Sequence, residues 1–129
     1  MRPRGPAGKL DSSAVRSAAR SLSRRGVREL VVIHFPEGAL ARTPRGLEVW
    51  QPSLALPRGY IAGTAGAGDA FCAGMLLGLH EGWDLGRCLR AGACVAAASL
   101  SHPTTTGGIG SLRSSLALAR KFGFNRAVG

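Results

Sequence analysis

The residues best placed to do chemistry are the run Gly63-Thr64-Ala65-Gly66-Ala67-Gly68-Asp69-Ala70-Phe71, which sets one carboxylate at the head of an apolar stretch. Ala70, Phe71, Ala73, Met75, Leu76, Leu77 and Leu79 recur at helical spacing, so the run predicts a helix that Gly66, Ala67 and Gly68 open. The first backbone N–H groups of a helix have no partner within it, and together with the helix dipole they form a site for an anion. A carboxylate beside an anion is repulsive unless it takes a proton or shares a cation. Asp69 therefore reads as a base next to an anion-binding turn. Taken alone, an aspartate at a helix start is a cap that contributes ~0.5–2 kcal/mol.

Two other glycine motifs fail on single residues. A P-loop needs Gly-Lys-Ser/Thr at the helix start, and Gly68 is followed by Asp69-Ala70. A dinucleotide fingerprint starting at Gly66 needs glycine at position 71, which is Phe71. Cys72, Cys88 and Cys94 form no Cys-x-x-Cys pair, and His34, His80 and His102 are each isolated, so no protein metal site and no disulfide framework is expected. Free thiols of this kind suit a reducing cytoplasm.

The elements that must hold Asp69 follow from periodicity and punctuation. Asp11 or Ser12 caps a helix to about Arg25, whose core stripe is Val15, Ala18, Ala19 and Leu22, and Gly26 ends it. Leu30–His34 is a continuous apolar run of the type buried in a parallel sheet. Short strands are predicted at Ala39–Arg42 and Leu47–Gln51, joined by the turn Thr43-Pro44-Arg45-Gly46. Pro52 and Pro57 then break the chain, and Tyr60–Ala62 leads into the motif turn. Further helices are predicted at Ala67–Glu81, at Leu85–Leu100 with Asp84 as cap, and at Leu112–Phe122 with Ser111 as cap and Gly123 just beyond. The order α-β-β-β-α-α-α implies a sheet covered by helices in an α/β layered fold.

The whole chain has 129 residues and is 45% hydrophobic, enough for one globular domain. No apolar stretch approaches the ~20 residues that a membrane span needs, so a soluble cytoplasmic chain without a membrane partner is expected. Its net charge of +10 raises the question of nucleic acid. Eight of the seventeen basic residues, against one acid (Asp11), fall in residues 1–28, and the aromatic rings are not interleaved with them. A solvated arginine-rich helix is the preferred reading and a nucleic-acid partner the lesser one. The Arg- and Ser-rich start also has the composition of a transit peptide, but its helical spacing favours a core helix; residues 1–10 read as a tail or linker, and 11–129 as the folded part.

Thr64–Phe71, with Ala73-Gly74 and Gly78-Leu79, resembles the second consensus motif of the PfkB, or ribokinase-like, carbohydrate kinases. Arg28–Leu40 resembles the strand and glycine loop preceding that motif, and Ala91–Leu100 with Thr104–Gly108 resembles the wall of the nucleotide pocket. The resemblance implies the C-terminal half of a ribokinase-like layered α/β/α sandwich. It implies ATP and Mg²⁺ as cofactors, a sugar or sugar-like alcohol as the second partner, Asp69 as the base and Gly66, Ala67 and Gly68 as the anion hole. By the same resemblance, nucleotide contacts fall to Gly38, Cys94, Thr106 and Gly108, with His34 approaching from the end of its strand.

Two departures from the family pattern matter. Gly63 stands where many members have the aspartate that helps to hold a monovalent cation, which weighs against potassium dependence. Pro36-Glu37-Gly38 replaces the usual Gly-x-x-Gly loop. The family's sugar-binding sheet, lid and magnesium motif lie upstream of the stretch matched here. Such a half leaves a sheet edge and apolar surface to be covered, by the other half or by self-association. A catalytically silent nucleotide-binding remnant is the alternative to an active kinase.

Overall fold

The computed structural model describes residues 10–26, 29–104 and 107–126. Its elements are α1 (Ser12–Arg24), β1 (Val31–Phe35), β2 (Gly38–Arg42), β3 (Glu48–Pro52), α2 (Ala67–His80), α3 (Leu85–Leu100) and α4 (Leu112–Phe122). The order is the one the sequence predicts, and each predicted boundary lies within one or two residues. Three of the four helix starts are fixed by side chains: Asp11 accepts from the Ala14 N–H, Asp84 from Arg87 and Ser111 from Ser114. Only α2 begins without such a cap.

The strands form an antiparallel sheet in the order β1-β2-β3. Val32 stands opposite Ala41, Phe35 opposite Gly38, and Leu40 opposite Trp50. Alternation along each strand divides the core into two layers. Val31, Ile33, Phe35, Leu40 and Trp50 face α1, where they meet Val15 and Ala19. Val32, Ala39, Ala41 and Val49 face the other way, onto Phe71 and Met75 of α2 and Leu89 and Ala96 of α3. The fold is therefore a three-layer α/β/α arrangement, as the sequence implies.

Two sequence expectations are corrected. Among the described residues β1 pairs with β2 alone, antiparallel, and its other edge is open. Its continuous apolar run reflects helices on both faces of the sheet, a burial that does not depend on strand direction. Leu22, in the last turn of α1, remains 43% exposed, so the core stripe of that helix is one turn shorter than its spacing predicts.

Helix α3 is buried from Ala91 to Ser99, and its principal neighbour is α2. The two approach so closely that a methyl group at Gly74 would lie 2.8 Å from the Ala91 carbonyl oxygen, and one at Gly78 would lie 2.8 Å from Cys88 Sγ. From the α3 side, a Cβ at Gly92 would meet the Phe71 ring and carbonyl at 2.9 Å. On its other flank α2 exposes Leu76 (58%) and Leu79 (44%), and it touches β1 on the face opposite α1.

The Gly74 contact predicts an overpacking penalty, because the atom that would be struck is backbone and cannot swing aside. Gly74→Ala should lower the unfolding free energy by ~1–3 kcal/mol in urea denaturation, whereas Cys72→Ala on the exposed face should change it by less than ~0.5 kcal/mol. Equal stabilities for the two variants would contradict the close helix contact.

Candidate functional site

The head of α2 is built by Gly66, whose φ of 82° lies in the left-handed region that a residue with a Cβ rarely adopts. That turn lets the Gly66 carbonyl accept from the Ala70 N–H at 2.9 Å, the first bond of the helix. Ala67 N–H reaches Thr64 O only at 3.5 Å, and no hydrogen bond is formed by the N–H groups of Gly68 and Asp69 among the described residues. These are the donors expected of an anion-binding turn. Asp69 is exposed there, with no ion-pair partner among the described residues, while Ala70 and Phe71 anchor the turn in the core.

The approach to this turn is tied to the end of α3. Both Ala62 and Gly63 donate their N–H groups to the Leu100 carbonyl, at 2.8 and 3.4 Å. A Cβ at Gly63 would lie 2.9 Å from the Pro103 Cα and 3.1 Å from the His102 carbonyl oxygen. This gives a local reason for glycine at position 63: the space that a side chain needs is taken by backbone.

A cavity of about 450 Å³ opens beside the same turn, within the size range of small-molecule sites. Thr64 and Ala67 belong to its wall at the helix start, His34 and Gly38 at the β1–β2 turn, and Ala93 and Ala97 on α3. Of the residues singled out in the sequence, the structure thus brings His34, Gly38 and Ala67 together on one cavity. Gly38 also permits the β2–β3 approach, since a Cβ there would run into the Gln51 carbonyl oxygen. Cys94 is fully buried between Ala93 and Ala97, packed toward Leu54 and Ala119 and set behind the wall. Burial pushes its thiol above the usual range, despite the nearby Arg90. Gly108 packs against the Ala98 carbonyl and the Ser101 hydroxyl at the end of α3. Thr106 lies outside the described residues.

Sequence reasoning did not single out the polar part of the wall. Ser53 and Asn125 line it, and they knit three segments together: Ser53 N–H donates to Glu37 O at 2.9 Å, and Asn125 Nδ2 donates to Ser53 Oγ at 2.9 Å and to Leu54 O at 3.1 Å. Seventy-two positions separate Ser53 from Asn125, and neither belongs to a motif. Only the Pro52 strand end and the Gly123 helix end hint that both lie at element boundaries. No three His, Cys, Asp or Glu side chains gather among the described residues. They therefore offer no protein cage for Mg²⁺, an ion often carried by substrate phosphates with one or two carboxylates.

His34 is the titratable group on the cavity wall whose environment perturbs it. Its ring stacks on Phe71, centroids 4.3 Å apart and planes 12° from parallel, so one face is shielded although its edge is exposed. That desolvation holds the imidazole below its ordinary value of about 6.5. Burial disfavours the charged form, so the folded chain binds fewer protons than the unfolded one between the two values. This part of the stability is complete above about pH 6.5 and is lost as pH falls toward the lowered folded value. An NMR titration should give a His34 midpoint below 6.5, and His34→Gln should flatten the stability profile in that window. A midpoint at or above 6.5 would overturn the shielding argument.

Comparison with known proteins agrees with this architecture. The profile described as pfkB family carbohydrate kinase matches residues 6–110. Ribokinase of Arabidopsis thaliana, solved with ribose and ATP, superposes with a TM-score of 0.69 at 22% identity, over 79% of this chain and 32% of that one. Phosphofructokinase-2 of Escherichia coli, solved with potassium, gives 0.69 at 23% identity over 94% and 36%. The nucleoside kinase of Burkholderia thailandensis with inosine gives 0.63 at 24% over 76% and 32%. These likenesses establish a shared fold, and this chain spans about a third of the length of those structures. Comparison with curated protein sequences gives no match. With a sheet covered on both faces, an uncapped glycine turn at the head of α2 and the family profile spanning residues 6–110, the chain belongs to the pfkB family of carbohydrate kinases.

Proposed function

We propose that this chain is the nucleotide-binding, phosphoryl-transfer part of a kinase that moves the γ-phosphoryl group of ATP to a hydroxyl of a sugar or sugar-like alcohol. The observation that carries the reading is the uncapped head of α2, where the Gly68 and Asp69 N–H groups are unpaired beside an exposed carboxylate and a cavity wall. In this reading the cavity holds the nucleoside between the β1–β2 turn and α3, and its phosphates run toward Gly66–Asp69. The N–H groups of Gly66, Ala67 and Gly68, joined by that of Asp69, bind the charge that develops on the transferred group. Donors of this type are worth ~3–4 kcal/mol each in other enzymes.

Asp69 takes the proton from the acceptor hydroxyl as the new O–P bond forms and the bond to the leaving phosphate breaks. Its exposure suits this task, because the acceptor must reach it from outside the chain. Mg²⁺, held mainly by the nucleotide's own phosphates, would supply neutralisation of their charge. His34, Cys94 and Gly108 are assigned to the nucleotide site at graded distance, His34 on the wall and Cys94 and Gly108 shaping the helix behind it; Thr106 is assigned to it by family resemblance alone. Free thiols at Cys72, Cys88 and Cys94 fit a reducing cytoplasm, and no helix among the described residues is long and apolar enough to cross a membrane.

Three outcomes test the reading. In a full-length polypeptide or complex that phosphorylates a sugar, Asp69→Asn should cut turnover at least ~100-fold with little change in nucleotide affinity, and near-normal turnover would remove Asp69 from the mechanism. On titration with ADP, the backbone amide resonances of Gly66–Asp69 should shift first and most; movement confined to other segments would place the phosphates elsewhere. The 129-residue chain alone should turn over free sugars very slowly. Positioning the acceptor can account for ~7–11 kcal/mol of a barrier, and the comparison structures are about three times longer. Robust sugar phosphorylation by the purified monomer would show that the acceptor site is built from these residues.

A further inference from the structure

A second concavity, of about 930 Å³, runs between the N-terminal half of α3 and the length of α4, and it shares no lining residue with the cavity beside α2. Its sides carry four arginines, Arg87 and Arg90 on α3 and Arg113 and Arg120 on α4. All four are exposed, and none forms an ion pair among the described residues, where both salt bridges go to Glu48 from Arg16 and Arg42. Arg87 lies over the Trp83 ring at 3.9 Å and Arg90 near the Phe124 ring at 5.2 Å. Stacking of this kind orders a guanidinium plane and leaves its N–H edge free to meet a carboxylate or phosphate.

The placement of these charges is unfavourable for the chain by itself. Arg113 stands in the first turn of α4, where the helix dipole is already positive and neither the turn nor its Ser111 cap supplies an acid, whereas at the head of α3 Arg87 has the Asp84 carboxylate on its own N–H. On a convex surface water would screen such residues, and a solvated face would suffice as an explanation. Here they rim a groove, and the positive potential of a concave surface is focused inward.

The floor narrows the identity of the occupant. Leu116, half-buried, and Ala117, exposed, give the groove an apolar strip between its arginines, which a lone phosphate or carboxylate would leave uncovered. A nucleic-acid strand would seek aromatic rings on which to stack, and the Trp83 ring is already covered by Arg87. Arg113 and Arg120 are seven residues apart, or about 10 Å along two helical turns, a spacing that two turns of a partner helix can match with carboxylates. We propose that the α3–α4 groove is the docking site for an acidic amphipathic helix of a partner protein, its apolar side on Leu116 and Ala117 and its carboxylates on the four arginines.

The test uses the full 129-residue chain. A fluorescein-labelled helical peptide with leucines at i, i+3, i+4 and i+7 and glutamates on the flanking positions is titrated by anisotropy. Saturable binding is expected, weakened at least about tenfold by the pair Arg90→Glu and Arg120→Glu, and equally by Ala117→Glu on the exposed floor. Circular dichroism of each variant establishes that the fold is retained. A peptide of the same charge with serine for each leucine should bind at least about tenfold more weakly. Absence of saturable binding, equal binding of the serine peptide, or tighter arginine-dependent binding of a single-stranded oligonucleotide or of polyphosphate would each overturn the proposal.

Discussion

The contact on which the rest of this structure depends is the near-touching of α2 and α3. Gly74, Gly78 and Gly92 remove the side chains that would hold the helices apart, so backbone meets backbone and ring instead of methyl meeting methyl. Burial here is spread over many small groups, with Ala91, Ala93, Ala96, Ala97 and Ala98 all within α3. Attraction between such surfaces is the sum of many weak dispersion contacts, which survives only while the surfaces fit. The fit fixes the depth and rotation of α2, and with them the direction of its uncapped end.

The chemical character of the site follows from that rigidity. Donors aimed at a developing charge are effective only if no reorganisation is needed when the charge appears. The turn Gly66–Asp69 is held from below by Ala70 and Phe71, and its approach is fastened to the Leu100 carbonyl by two N–H groups. Every other helix among the described residues spends a side chain on its own first turn, whereas α2 has no side-chain cap, which is what the proposed role of its donors requires. A strand on one side and a helix on the other meet through the His34–Phe71 stack, so the cavity wall and the glycine turn share one support.

What the sequence made legible was local. Helix caps at Asp11 or Ser12, Asp84 and Ser111, the glycine turn and the extent of the three strands are written in adjacent residues, and the structure has these elements within one or two residues of the positions they imply. Strand direction was not legible, because a run such as Leu30–His34 records burial on two faces and says nothing of its neighbours. The exposure of Leu22 depends on how far the sheet extends under α1, which periodicity cannot measure. Asn125 and Ser53 were invisible for a different reason: their meeting is made by the whole path of α2, α3 and α4 between them. The four groove arginines were counted in the net charge but could not be assembled into a surface until α3 and α4 were set side by side.

The unequal sizes of the residues on the two faces of β2 have an effect on folding fidelity. Leu40 points into the layer shared with α1, and Ala39 and Ala41 point under α2 and α3. A hairpin misaligned by one residue would present leucine to the closely apposed helices and leave only alanine opposite Val15 and Trp50. Such an error would be rejected twice, by collision on one side and by a void on the other, even though every residue involved is apolar. Hydropathy alone would let the misaligned strand pass; steric volume acts as its proofreader.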